Sequence, residues 1–206
     1  MPGTEYLYSG WLRLGDYMQA GGLVMWPLAA ISVVMWLLIV ERVLFVRRLN
    51  RKGMSFQDAW QHVQDGAIPD PRQHGGAVSL LVRRFIGARS GDDRMDRHIL
   101  DETVMCLNRS LFSNLSVIGV LAAIAPLLGL LGTVTGMIAT FDVLAVFGTG
   151  NAKAMAGGIS EALITTQTGL LVAIPGLYMK GFLDRRVRNL SKGIAAAGLY
   201  IRRQLL

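Results

Sequence analysis

Apolar positions along this chain do not spread as they would through a soluble core; they gather into three blocks. Tyr17 to Val40 and Ser110 to Phe141 carry no charged residue, and Ala154 to Met179 carry only Glu161. A hydrocarbon core of about 30 Å needs about 20 apolar residues in a helix, so each block predicts a span. The expected fold is therefore all-α, an integral membrane protein with three transmembrane helices. Spans are expected at 21–42, 110–147 and 155–180, with the second and third helices continuing into a helical bundle outside the bilayer.

Outside the spans the pattern changes to amphipathic. Leu7, Trp11, Leu14 and Met18 recur at helical spacing, which predicts an interfacial helix within 1–20. In the 43–109 loop, Ser55 followed by Asp58 reads as a capping box, and Phe56, Ala59, Trp60 and Val63 then share a face. Pro69, Pro71 and paired glycines mark 66–76 as a connector, after which Val78, Leu81, Val82 and Phe85 line a second helix. Ser90 to Asp93 breaks and recaps the chain. From Arg94 no strong stop occurs until about Phe147, which predicts one helix of about 80 Å. Residues 148–154 form a short connection. In the 181–206 tail, Val187, Leu190, Ile194, Ala197 and Ile201 make a heptad-like stripe that needs a helical partner.

Charge orients the predicted spans. The net charge is +7, but 11 Lys/Arg lie between Val46 and Arg109 and 7 lie from Lys180 onward. Only Arg13 precedes the first span, and only Lys153 lies in the Asp142–Lys153 connection. This is the positive-inside pattern, with the N-terminus outside and the middle loop and C-terminus in the cytoplasm. It accounts for the basic balance without a nucleic-acid partner. The first residues lack the marks of a cleaved signal, so the first span is expected to remain as an anchor. Trp26 and Trp36 suit aromatic belts, and Glu41 with Arg42 at the exit reads as a local ion pair. The single cysteine, Cys106, allows no intrachain disulfide. His62, His74 and His98 lack metal-ligand spacing, so neither a metal nor covalent catalysis is expected.

The chemistry concentrates in spans two and three. Gly129, Gly132, Thr133 and Gly136 place small residues on one flank of span two. Ala162, Thr166, Gly169 and Ala173 do the same on span three. Such faces let helices approach closely in lipid, where packing drives association. A phosphate loop is excluded because no Lys follows the glycines and the segment lies inside a span. Pro126 and Pro175 interrupt the two spans as expected kinks. A hairpin folded about Gly150 puts Thr133 17 residues before the pivot and Thr166 16 after it, so both fall near mid-membrane. Glu161, 11 residues after the pivot, falls level with Ala139 and Thr140 toward the outer surface.

Glu161 is the one charged residue within the three apolar blocks, and an unsupported charge there costs at least about 2.5 kcal/mol. It is read either as an interfacial carboxylate bonded to a neighbouring helix or as part of an ion path. The threonines have a plain reading, bonds to the preceding turn's carbonyls. Two at matched depth on small-residue stripes favour a polar lining. Since Glu161 lies off that level, a partner helix is expected to bring the carboxylate a proton path needs.

Ala125-Pro-Leu-Leu-Gly-Leu-Leu-Gly-Thr-Val-Thr-Gly136 and Gly158-Ile-Ser-Glu-Ala-Leu-Ile-Thr-Thr-Gln-Thr-Gly169, followed by Pro175, resemble the ExbB/TolQ/MotA family of proton-channel subunits. Ala20-Gly-Gly and Met35-Trp-Leu-Leu-Ile-Val-Glu-Arg42 resemble its short ExbB-type branch. The resemblance implies a multi-pass subunit of the bacterial inner membrane, assembled as a homopentamer around a central pore. It implies a single-span ExbD-like partner bearing an intramembrane aspartate, a TonB-like protein as recipient of the work, and the proton as coupling ion without a cofactor. It assigns Thr133 and Thr166 to the pore and Glu161 to the ion path; Thr140, at the level of Glu161 in the hairpin count, is expected on that path too, and the small-residue spacing gives Gly129, Gly132, Gly136, Ala162 and Gly169 to helix packing. A TolQ-like subunit and a non-conducting membrane scaffold are the alternatives. The polar run Thr165, Gln167 and Thr168 departs from the family pattern and is read as an extra interhelical hydrogen bond, with a wetter pore as the sharper reading.

Overall fold

A computed structural model describes residues 15–50, 53–70, 75–148 and 151–205. Leu7, Trp11 and Leu14 of the expected interfacial helix, the pivot Gly150, Pro71 and His74 lie outside the described residues. Residues 15–20 are helical and lead through a turn into α1, Met25–Leu49. There follow α2, Phe56–Asp65, α3, Ala77–Ala88, α4, Asp93–Phe112, α5, Leu115–Phe147, and α6, Ala152–Gln204. All regular structure among the described residues is helical. α1, α5 and α6 are each long and apolar enough to cross a bilayer. The chain divides into two compact units.

The first unit holds 1–38 and 117–179, and therefore the apolar parts of α1, α5 and α6. Its packed centre is thin. Val24, Leu28, Ala125 and Ala173 are buried together, with Leu128 and Val172 against them. Large side chains such as Leu127, Leu130, Val134, Leu163, Leu171 and Ile174 face outward. A water-soluble protein of this size would not expose so continuous an apolar surface, and hydrocarbon is the solvent that suits it. Pro126 lies within α5 and Pro175 within α6, and both helices continue through them.

The second unit holds 39–116 and 180–206. Ser55 caps α2 as its sequence predicts, although its hydroxyl accepts from the N–H of Gln57, and Gly66 closes the helix in the left-handed conformation. Leu81, Val82 and Phe85 of α3 are fully buried, and Phe85 alone represents about 2–3 kcal/mol of apolar burial. The stripe on the end of α6 is buried at Val187, Ile194, Ala197 and Ile201, with Leu190 at its edge. Its partner comes from within the chain, since α4 runs antiparallel to it. Asp101 pairs with Arg202 at 3.4 Å, Gly198 sits against Val104, and Phe56 of α2 stacks on Tyr200.

Two expectations are corrected in this unit. The helix from Arg94 to Phe147 is not continuous. It stops at Ser113 and restarts at Leu115, with Asn114 at a φ of 63°. Asn is one of the few side chains that accepts this left-handed conformation. The Glu41–Arg42 pair also has another use. Adjacent residues point about 100° apart on a helix, so they diverge. Arg42, 4% exposed, donates to the carbonyls of Ser110, at 3.0 Å, and Ser113, while Glu41 accepts from the amide of Asn114. A buried guanidinium thus caps the C-terminus of α4, where carbonyls are left over and a cation is favoured.

Candidate functional site: the α5–α6 seam

The seam is built from glycines because no other residue allows the backbones so close. A Cβ on Gly136 would stand 2.6 Å from the carbonyl oxygen of Gly158, and one on Gly169 would stand 2.7 Å from that of Ala125. One on Gly129 would stand 3.0 Å from the carbonyl oxygen of Thr165. On Gly132 it would collide with the Cβ and hydroxyl of Thr165. Gly129, Gly132, Gly136, Ala162 and Gly169 therefore form the interface between α5 and α6 within one chain. The register pairs Thr140 with Gly158, Gly136 with Ala162, and Gly132 with Thr165. Glu161 consequently lies closer to the level of Met137 than of Thr140, about half a turn deeper than a fold about Gly150 predicts.

The buried line on α6 differs from the expected one at its centre. Ala162, Thr165, Gly169, Ala173 and Gly176 are buried, and Thr165 is fully so. Thr166 stands at the flank, half-buried, with its hydroxyl donating to the carbonyls of Ala162, at 3.1 Å, and of Gly129 across the seam, at 3.3 Å. The buried positions follow intervals of three and four, the helix repeat, and that spacing singles out Thr165. Its hydroxyl reaches the carbonyls of Glu161, at 2.9 Å, and Ala162, at 3.0 Å, of its own helix, so its polarity is internally satisfied.

Thr133 is also half-buried and donates to the carbonyl of Leu130 at 2.6 Å. No hydrogen bond joins Thr133 to Thr166 among the described residues; each hydroxyl lies beside the seam with its own carbonyl partner. Thr140 is 5% exposed, packed on Gly158 and bonded to the carbonyl of Gly136 at 2.9 Å, so in this chain it belongs to the packing. Glu161 is half-buried, and its carboxylate lies against Gly22 of the turn before α1. Of the polar run, Thr168 makes the link between segments, with its hydroxyl 2.8 Å from that of Tyr17, whereas Gln167 is exposed.

The arrangement is a tight two-helix unit that carries hydroxyls and one carboxylate through an apolar slab without a nucleophile–base pair or a recognisable ligand shell. It can hold a polar lining in place against lipid. Residues 77–196 match the MotA/TolQ/ExbB proton channel family, and the chain belongs to it. An ExbB-like biopolymer transport protein of Synechocystis sp. is 35% identical over 180 residues, covering 81% of this chain and 69% of that protein. The biopolymer transport protein ExbB of Aquifex aeolicus is 42% identical over 113 residues, 55% of this chain and 73% of its own. The biopolymer transport protein exbB1 of Vibrio cholerae is 29% identical over 204 residues, 91% of this chain and 88% of its own. The likeness is to ExbB-type members, and the chain is a membrane subunit of the biopolymer transport class.

Proposed function

We propose that this chain is the channel-forming subunit of a proton-driven energy transducer in the bacterial inner membrane. Several copies, five by family resemblance, surround a pore with α5 and α6. Thr133 and Thr166 line it at one depth, and Glu161 contributes nearer the outer end. The observation that carries this reading is the glycine seam, which holds both threonines beside one interface with their hydroxyl oxygens still able to accept a further bond. A pore lined by hydroxyls also needs a titratable group at their level. An ExbD-like single-span subunit with an intramembrane aspartate would supply it, and a TonB-like protein would take up the motion produced. The concentration of Lys and Arg in 46–109 and from Lys180 supports a cytoplasmic second unit and C-terminus and a periplasmic N-terminus. Each proton falling through 100 mV releases about 2.3 kcal/mol, so several provide mechanical work.

The test uses Thr133→Val and Thr166→Val, which keep shape and remove the hydroxyl. Both are expected to abolish energised uptake through outer-membrane receptors while the complex still purifies with its partners. Normal uptake in either variant overturns the pore assignment. A partner set containing TolA in place of TonB would move the chain to the TolQ-like branch.

A further inference from the structure

Gly22 has two features that a packing glycine does not need together. Its φ is +64°, in the left-handed region that side chains rarely adopt. A Cβ there would also collide with the carboxylate of Glu161, standing 2.6 Å from its Cδ with Oε1 closer still. Neighbouring residues extend the contact along one face of α6. Gly21 approaches Ile164, and the hydroxyl of Tyr17 lies 2.8 Å from that of Thr168. Glu161, Ile164 and Thr168 are spaced by three and four, so the segment that leads into α1 lies along a single stripe of α6. An ionisable side chain within a span turns toward protein or water and away from lipid, and the surface that Glu161 turns to is this segment.

We propose that Gly22 is a positioning residue for Glu161: the left-handed turn forms a seat for the carboxylate, and the Tyr17–Thr168 bond latches that turn to α6. The orientation of Glu161 is then set by the segment before α1, not by the threonines of the seam. Movement of that segment would move the carboxylate, which couples the start of the first span to the outer end of the ion path. The seat itself stands on geometry alone; its effect on ion flow rests on the channel reading proposed above.

The experiment separates the two with the whole complex, purified with its operon partners. Gly22→Asn tolerates the left-handed backbone yet adds a Cβ, and Glu161→Asp draws the carboxylate back by one methylene. Thermal unfolding of Gly22→Asn, Glu161→Asp and the double variant forms a cycle that reads the contact without any transport. The double variant is expected to melt higher than the sum of the single changes allows. Additive melting shifts overturn the seat. Proton flux into vesicles of Escherichia coli polar lipid, followed with a pH-sensitive dye, reads the positioning role. Gly22→Asn is expected to lower flux roughly tenfold or more, since displacement of a working group by about 1 Å can cost on the order of 100-fold. Adding Glu161→Asp is expected to restore part of it, and Tyr17→Phe to lower flux with Glu161 untouched. Coupled melting with unchanged flux in Gly22→Asn overturns the positioning role. If the wild-type complex itself passes no protons, the channel reading fails while the melting cycle still judges the seat.

Discussion

Gly132→Ala tests the seam most directly because the obstruction is known atom by atom. The new methyl would collide with the Cβ and hydroxyl oxygen of Thr165 and lie 2.8 Å from its Cγ2. Ordinary carbon contacts lie at about 3.5–4.0 Å, so α5 and α6 must part by about 1 Å or Thr165 must shift. Thr165 is fully buried, with its hydroxyl tied to two carbonyls of its own helix, which leaves it little room. A gap of about 1 Å forfeits up to half of each van der Waals contact it opens. The expected destabilisation is about 1–3 kcal/mol, the usual range for overpacking.

A second substitution shows whether this mechanism is right. Thr165→Ala should rescue Gly132→Ala only in part, because it removes the hydroxyl and Cγ2 but the colliding Cβ of Thr165 remains. Thr165→Gly removes that carbon and should recover much of the loss, less about 1 kcal/mol for a helical glycine. Thermal unfolding of the purified chain in detergent, followed by circular dichroism, reads all four proteins. A neutral Gly132→Ala, or equal rescue by Thr165→Ala and Thr165→Gly, would refute the close-packed seam.

Two further predictions concern the second unit. Arg42→Met keeps length and removes every donor, so the carbonyls of Ser110 and Ser113 lose their partner; about 2–3 kcal/mol should be lost, with faster amide hydrogen exchange at 113–116 as the local signature and Arg42→Lys milder. Asp96 is fully buried. Burial pushes its carboxyl upward, but the Arg89 guanidinium at 2.7 Å, the N–H and hydroxyl of Ser90 and the backbone of Gly91 outweigh this and hold it below the usual carboxylate range. A depressed folded value means that this stabilisation is complete above the unfolded value of about 3.9 and is lost as pH falls through the folded one. Melting temperatures of wild type and Asp96→Asn should therefore differ by a constant amount above about pH 5 and converge in acid; a gap that persists at low pH would count against the ion pair.

Much of this protein follows from local pattern. Length and freedom from charge identify α1, α5 and α6 as spans because lipid requires every backbone group to be bonded within its own helix. The Ser55 cap, the Asp92 cap before α4 and the stripe ending at Ile201 also depend on neighbours within a turn or two, so they are legible in one dimension. The glycines of α5 announced a close approach for the same reason.

What tertiary structure decided is how those faces meet. Thr165 and Thr166 are adjacent in the chain, and only the rotation of α6 against α5 puts the first in the seam and the second at its flank. Arg42 contacts Ser110 and Ser113 from 68 and 71 residues away, and the break at Asn114 has a cap for that reason. Gly22 carries no mark in its own neighbourhood that a carboxylate 139 positions later will rest on it. Periodicity measures which side of a helix is apolar; it contains no information about which helix stands opposite, and the meaning of each polar side chain in the apolar slab depends on that.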